Sequence, residues 1–291
     1  MQIVLNILVL GSIYSLISCG YVIIYKVSRV LNLAHGELMM VGAYLLLTTA
    51  SAGWLGSPLA AIGLALVLSL TVGILVYVLL MRRMTGESVL AAVLTTIALG
   101  ILIRGAVVLL WSAQHHYPAT KLHIANPSIE LFQNAKLSLI SLILIGVTVA
   151  TYAALFAFMR FGRWGLRMRA TGQNALLAAQ RGVNLHAVYA LAWGISTFTG
   201  AVAGMLIALD SGLDSTIVMI GLKAFPAALV GGLDSLAGAI IGSIIISASE
   251  VILIQHFNPL LSDAVPFLIL IAMLVIRPWG LFGTREELDR V

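Results

Sequence analysis

Residues 2 to 25 read QIVLNILVLGSIYSLISCGYVIIY, without one aspartate, glutamate, lysine, arginine or histidine. At about 1.5 Å per residue such a run, as a helix, outspans the roughly 30 Å hydrocarbon core of a bilayer, where a lone segment must satisfy its own backbone hydrogen bonds. No basic region precedes it at Met1-Gln2-Ile3, so it reads as a retained span and not a cleaved signal. Further apolar runs lie at about 38–53, 58–80, 88–111, 137–159 and 187–209, and a crowded set at about 217–232, 236–255 and 264–276. These predict an all-α, polytopic membrane bundle of about nine crossings (eight to ten), with broken helices, formed by residues 1–291 as one domain.

Composition agrees. Of 291 residues 61% are hydrophobic and 9% charged, against about 25% charged in soluble domains. The net charge of +5 is read as topology and not as nucleic-acid binding, because Lys and Arg accumulate in cytoplasmic loops. The single Cys19, inside the first run, supports neither a disulfide framework nor a thiolate metal cluster.

Charge divides the loops into two sets. Lys26, Arg29, Arg82, Arg83, Arg160, Arg163, Arg167, Arg169, Arg181, Arg277, Arg285 and Arg290 mark one side, expected to be cytoplasmic. The loop 112–136, with Lys121, Lys136, Pro118, Pro127 and three histidines, is expected to face outward. Alternation puts the N-terminus outside and the C-terminus inside. His115, His116 and His123 lack a fourth ligand for a metal and are expected to be solvated.

Residues 160–186 form the largest segment on the basic side. Asn174 is placed to cap a short helix over Ala175–Gln180, Arg181 suits its C-terminal end, and Gly182 ends it. Leu176 and Leu177 then give it an apolar patch. That helix either meets a partner protein or lies on anionic lipid.

The sequence has no Gly-x-x-x-x-Gly-Lys-Ser/Thr run, no Gly-x-Ser-x-Gly and no His-Glu-x-x-His. The chain is expected not to be an enzyme and to bind no cofactor or metal. Interest falls on polar residues at membrane depth, which face a cavity or a partner. His35-Gly36-Glu37 opens the second run, and Gly221-Leu222-Lys223-Ala224-Phe225-Pro226 opens a later one from the opposite side. Interrupted segments at corresponding places of two inverted halves point to a transport pathway, with His35, Gly36, Glu37, Lys223 and Phe225 as its candidates. The plainer alternative is a surface turn capped by Asn32, with Lys223 snorkelling to headgroups. Gly231 and Gly232 mark a break, and Asp234 or Ser235 suits the N-cap of the next helix. Gly238, Gly242, Ser243 and Ser247 make a small-residue packing face. Glu250 is read as a relay or, more simply, as a snorkelling side chain or half of an intersubunit pair, and Arg104 as within snorkelling reach of the outer surface.

Leu31-Asn32-Leu33-Ala34-His35-Gly36-Glu37, then Gly42-Ala43-Tyr44, the Arg163–Asn184 loop, Lys223-Ala224-Phe225, Val230-Gly231-Gly232 and the closing Arg277-Pro278-Trp279-Gly280-Leu281-Phe282-Gly283 resemble the high-affinity branched-chain amino-acid ABC permease family, in particular its shorter permease subunit. The resemblance runs almost end to end. It implies transport of branched-chain or related amino acids across the bacterial inner membrane. It also implies a second homologous permease, two separate ATPase subunits that bind ATP and Mg, and a periplasmic solute-binding protein. The coupling residues it implies are Arg169, Asn174, Leu176, Leu177, Arg181 and Gly182. Arg104, where an uncharged residue is expected, and Asp234 depart from the family pattern. Urea, short-amide and ribose-type sugar permeases share the architecture. A carrier of another class, driven by protons or sodium, would need a relay of buried ionisable groups, for which only Glu250, Glu37 and His35 are available.

Overall fold

Each apolar run is a helix, and small polar side chains set where several of them begin. The computed structural model describes residues 1–52, 56–132, 135–256 and 261–284; Arg285, Arg290 and the end of the second run at residue 53 lie outside the described residues. Among these, six helices are long and apolar enough to cross a membrane: α1 (Gln2–Ser28), α3 (Pro58–Leu79), α4 (Val89–Trp111), α6 (Leu139–Phe161), α9 (Leu185–Ser211) and α11 (Leu236–His256). Three apolar runs make shorter helices, α2 (His35–Ser51), α10 (Val218–Gly231) and α12 (Val265–Ile276). Short elements complete the order: α5 (Pro118–Lys121), β1 (Ser128–Phe132), β2 (Ala135–Ser138), α7 (Arg163–Gln173) and α8 (Ala175–Gln180). Ser57, Ser88, Ser138 and Asn184 cap α3, α4, α6 and α9 by accepting the amide of the residue three positions on, which satisfies donors that the helix leaves orphaned.

Helices α1 and α9 are largely enclosed, while α3 and α4 leave most of their surface uncovered. Around α1 pack α9, α11, α10 and α6, and α2 lies on α9. One end of the bundle collects the basic loops. There Arg29, following α1, pairs with Asp234, following α10, at 3.3 Å, and Gly172 of α7 sits on the Lys26 carbonyl. At the other end Trp111 Nε1 donates to Thr48 at 2.9 Å and Lys121 to Ser51 at 2.8 Å.

The start of α2 is not at an end. His35 Nε2 lies 3.1 Å from the Ile17 carbonyl, near the middle of α1. The chain from Arg29 to Ala34 therefore folds back into the bundle without helical structure, from an exposed Arg29 to a buried Asn32 and Ala34; irregular backbone is tolerated at such depth where it is buried in protein or lines a cavity. From that level α2 runs to the end opposite the arginines. Helix α10 starts at the same level, since Gly36 and Gly221 touch, and runs to the basic end. The two run in opposite senses from a shared origin.

The loop expected to face outward has structure of its own: it holds α5 and leads into an antiparallel hairpin that pairs Ser128 with Ser138 and Glu130 with Lys136. Gln2 fastens this hairpin to α1 through both the amide and the carbonyl of Lys136. Not all three histidines are simply solvated. The backbones of His116 and Leu213 exchange two hydrogen bonds of 2.8 Å, His116 Nε2 lies 2.9 Å from the Trp111 carbonyl, and His115 pairs with Asp214 at 3.0 Å. Asn32 does not cap α2; Ala34 holds that place, and Asn32 Oδ1 accepts the Ala34 amide at 3.1 Å. Of the two candidates before α11, Ser235 caps, accepting from Gly238 N at 3.0 Å, whereas Asp234 binds Arg29 and Thr284. Gly232 takes φ 106° against the Gly283 backbone, a conformation open to glycine. It lets the Leu281 and Phe282 amides donate to the carbonyls of Val230 and Gly231.

Candidate functional site

Three clusters hold the candidate residues, and they are separate. The first fixes the start of α2. His35 is fully enclosed. Its Nε2 faces the Ile17 carbonyl, which can only accept, so the ring proton belongs on Nε2; Nδ1 lies 3.3 Å from Ser196 Oγ, whose own proton goes to the Gly20 carbonyl at 2.9 Å. A side chain on Gly20 would strike this imidazole. Tyr21 stands edge-on to His35, with centroids 4.7 Å apart, and packs on Phe225 at 5.4 Å, while its hydroxyl donates to the Gly221 carbonyl at 3.3 Å. His35, Gly36 and Phe225 thus hold α1, α2, α9 and α10 together.

The second cluster opens to the surface. One turn of α2 exposes Glu37 to α4, where Arg104 Nη2 donates to Glu37 Oε1 at 3.0 Å. Gly100 leaves room for the carboxyl; a Cβ there would come within 3.2 Å of it. Around the pair is a groove of about 730 Å³ with mostly apolar walls, including Leu33, Ile97, Ile101, Val108 and Leu222. Arg104 does not reach for the outer surface as the sequence implied. Its guanidinium turns sideways to Glu37, and its side chain stays 51% exposed on the isolated chain. A half-exposed guanidinium at this depth would be costly against lipid, so this face calls for protein or water over it.

The third cluster is enclosed on its Glu250 side and open at Asp263, whose side chain is 75% exposed. Lys223 neither snorkels nor shares the groove with Glu37, although the adjacent Leu222 lines it. Lys223 Nζ lies 2.6 Å from both Glu250 Oε1 and Asp263 Oδ1, and Tyr14 donates to Glu250 Oε2 at 2.5 Å. With the Glu250 side chain only 5% exposed, the low dielectric makes the pairing strong and the loss of either partner expensive.

At the basic end α7 and α8 make a separate surface. Asn174 caps α8 by accepting from Leu177 N at 3.0 Å. Gly182 at φ 82° and Val183 close it, their amides donating to Ala179 and Ala178, the paired bonds of a Schellman ending. Ala178 turns inward, while Leu176 and Leu177 are 69% and 56% exposed. Arg169 and Arg181 are exposed as well. At the opposite end Asp214 is partly desolvated, which opposes ionisation, but the hydroxyl and amide of Thr216 and the imidazole of His115 hold its carboxyl below the usual range.

Sequence reasoning missed the Glu37–Arg104 pair and the Lys223–Glu250 pair as pairs. A usable signal existed: the ionisable side chains in or at the mouths of the apolar runs include two cations, Arg104 and Lys223, and two acids, Glu37 and Glu250, and such groups pair at membrane depth.

Comparison with known proteins shows what the whole chain is similar to. Residues 3–274 match the family model described as branched-chain amino acid transport system / permease component. The chain is 29% identical over its whole length to the high-affinity branched-chain amino acid transport system permease protein LivH of Escherichia coli, covering 97% of that protein. It is 28% identical to the corresponding permease protein BraD of Pseudomonas aeruginosa, covering 98% of it. A probable branched-chain amino acid transport permease protein of Methanocaldococcus jannaschii is 26% identical over 95% of this chain and 90% of its own length. No solved structure matches significantly.

Proposed function

The chain belongs to the family of permease components of branched-chain amino acid transport systems, and on that premise we propose that it is a translocating subunit of an ATP-driven importer of branched-chain amino acids in the bacterial inner membrane. The observation that carries this reading is the groove beside the common origin of α2 and α10. Two helices that begin mid-bundle and run in opposite senses put helix starts and a charged pair at the level where transporters hold their substrate. The open side of the groove, with Arg104 on it, suits a second homologous permease, so that the path runs between two such subunits.

In this reading the arginine-rich end is cytoplasmic, which follows the positive-inside rule, and the hairpin end is periplasmic, where a solute-binding protein delivers the substrate. Two ATPase subunits dock on α8 and the α7 surface. ATP and Mg are bound by those partners and not by this chain. Their closure pushes α8, and α7, which packs on α1 and α6, passes the movement to the bundle core.

The test is leucine uptake into proteoliposomes holding the complete complex. Uptake is expected to require the ATPase subunits and internal ATP and to be indifferent to a proton ionophore. Uptake that persists without the ATPases and collapses with the ionophore would instead assign the chain to the ion-coupled carriers.

A further inference from the structure

We propose that Arg104 and Glu37 are the specificity-determining pair of the path, Arg104 receiving the α-carboxylate and Glu37 the α-ammonium of a zwitterionic amino acid. This rests on the importer reading above and adds to it which groups recognise the substrate.

Two membrane-depth ion pairs among the described residues differ in the way that separates a structural pair from a receptor. Lys223 and Glu250 expose 16% and 5% of their side chains, and Glu250 is further held by Tyr14. Arg104 and Glu37 expose 51% and 12% and meet through a single contact, Nη2 to Oε1. A guanidinium has five N–H donors in a planar fork that takes a carboxylate two at a time. Among the described residues the remaining donors of Arg104 have no hydrogen bond. The pair therefore leaves guanidinium donors available to a second carboxylate.

A zwitterion fits this arrangement by exchange. Its carboxylate takes the fork of Arg104, its ammonium takes the Glu37 carboxylate, and the number of opposite-charge contacts does not fall. Such exchange favours entry without tight retention, as a conducting site requires. The space of about 730 Å³ lies within the range of small-molecule sites. The apolar walls formed by Leu33, Ile97, Ile101 and Leu222 suit a branched aliphatic side chain. A neutral solute such as urea or a short amide can accept from the guanidinium through its carbonyl but brings no ammonium for Glu37.

The decisive experiment compares wild type, Arg104→Lys and the neutral double variant Glu37→Gln/Arg104→Gln in the complete complex, with co-purification of the partner subunits as the measure of assembly and L-leucine as the probe. If the two groups only neutralise each other, removing both charges leaves the KM for leucine unchanged. If they receive the substrate, the double variant assembles and its KM for leucine rises at least tenfold, while Arg104→Lys, which keeps charge without the fork, shows a rise of several fold. A double variant with the wild-type KM overturns the proposal, as does a failure of the double variant to assemble accompanied by an Arg104→Lys complex of unchanged KM. A wild-type complex that moves no leucine under ATP overturns the importer reading as well, so the two failures are told apart.

Discussion

Gly36 and Gly221 touch backbone to backbone: a Cβ on Gly221 would stand 2.5 Å from the Gly36 Cα. This contact sets the level at which α2 and α10 begin. It carries the first prediction. Gly221→Ala forces the two helix starts apart, at the roughly 1–3 kcal/mol typical of overpacking. Thermal unfolding of the detergent-purified chain should show a lowered midpoint, and leucine uptake should fall with it. An unchanged midpoint would mean that the contact is not constraining.

Lys223 supplies the second prediction. Lys223→Met leaves the enclosed Glu250 without its cation, and stability should drop by about 3–5 kcal/mol. Adding Glu250→Gln should recover most of that loss, because the cost lies in the unpaired charge and not in the missing contact. If the double variant is as unstable as the single, the packing of Lys223 matters more than its charge.

The turn before α10 gives a pH dependence. The carboxyl of Asp214 is held below its ordinary range when folded. Its contribution is therefore present above the usual aspartate range, about pH 4, and is lost as pH falls through the lower folded value. Unfolding midpoints followed from neutral pH downward should fall less steeply for Asp214→Asn than for wild type. Parallel curves would remove Asp214 from the acid response.

What the sequence made legible follows from locality. Apolar runs and their caps lie within a few residues of one another, so the long helices, the Ala175–Gln180 helix with Asn174 and Gly182 at its ends, and the break at Gly231-Gly232 could be read directly. The hairpin at 128–138 could not, because its short strands sit among prolines and histidines and are held by Gln2, far away in the chain. The depth of His35 depends on Ile17 and Ser196, and the partner of Glu37 lies 67 residues on. Such pairings are set by packing. Sequence pointed to Glu37 and Lys223 as polar residues at depth, but only the fold separates them, turning one to the open groove and the other to Glu250.

The central claim is that ATP hydrolysis in partner subunits drives this chain through α8. Leu177, 56% exposed on that helix, leaves apolar surface that a partner groove would cover. Leu177→Asp puts an unpaired carboxylate into that interface, at a cost of several kcal/mol, while the inward-facing Ala178 and the caps of α8 stay as they are. The direct measurement is ATPase co-purification together with ATP-dependent leucine uptake in proteoliposomes containing wild type or Leu177→Asp. The account predicts that the variant inserts normally but loses bound ATPase and uptake by tenfold or more. A variant that retains both at wild-type levels would contradict it and return α8 to the surface of the lipid.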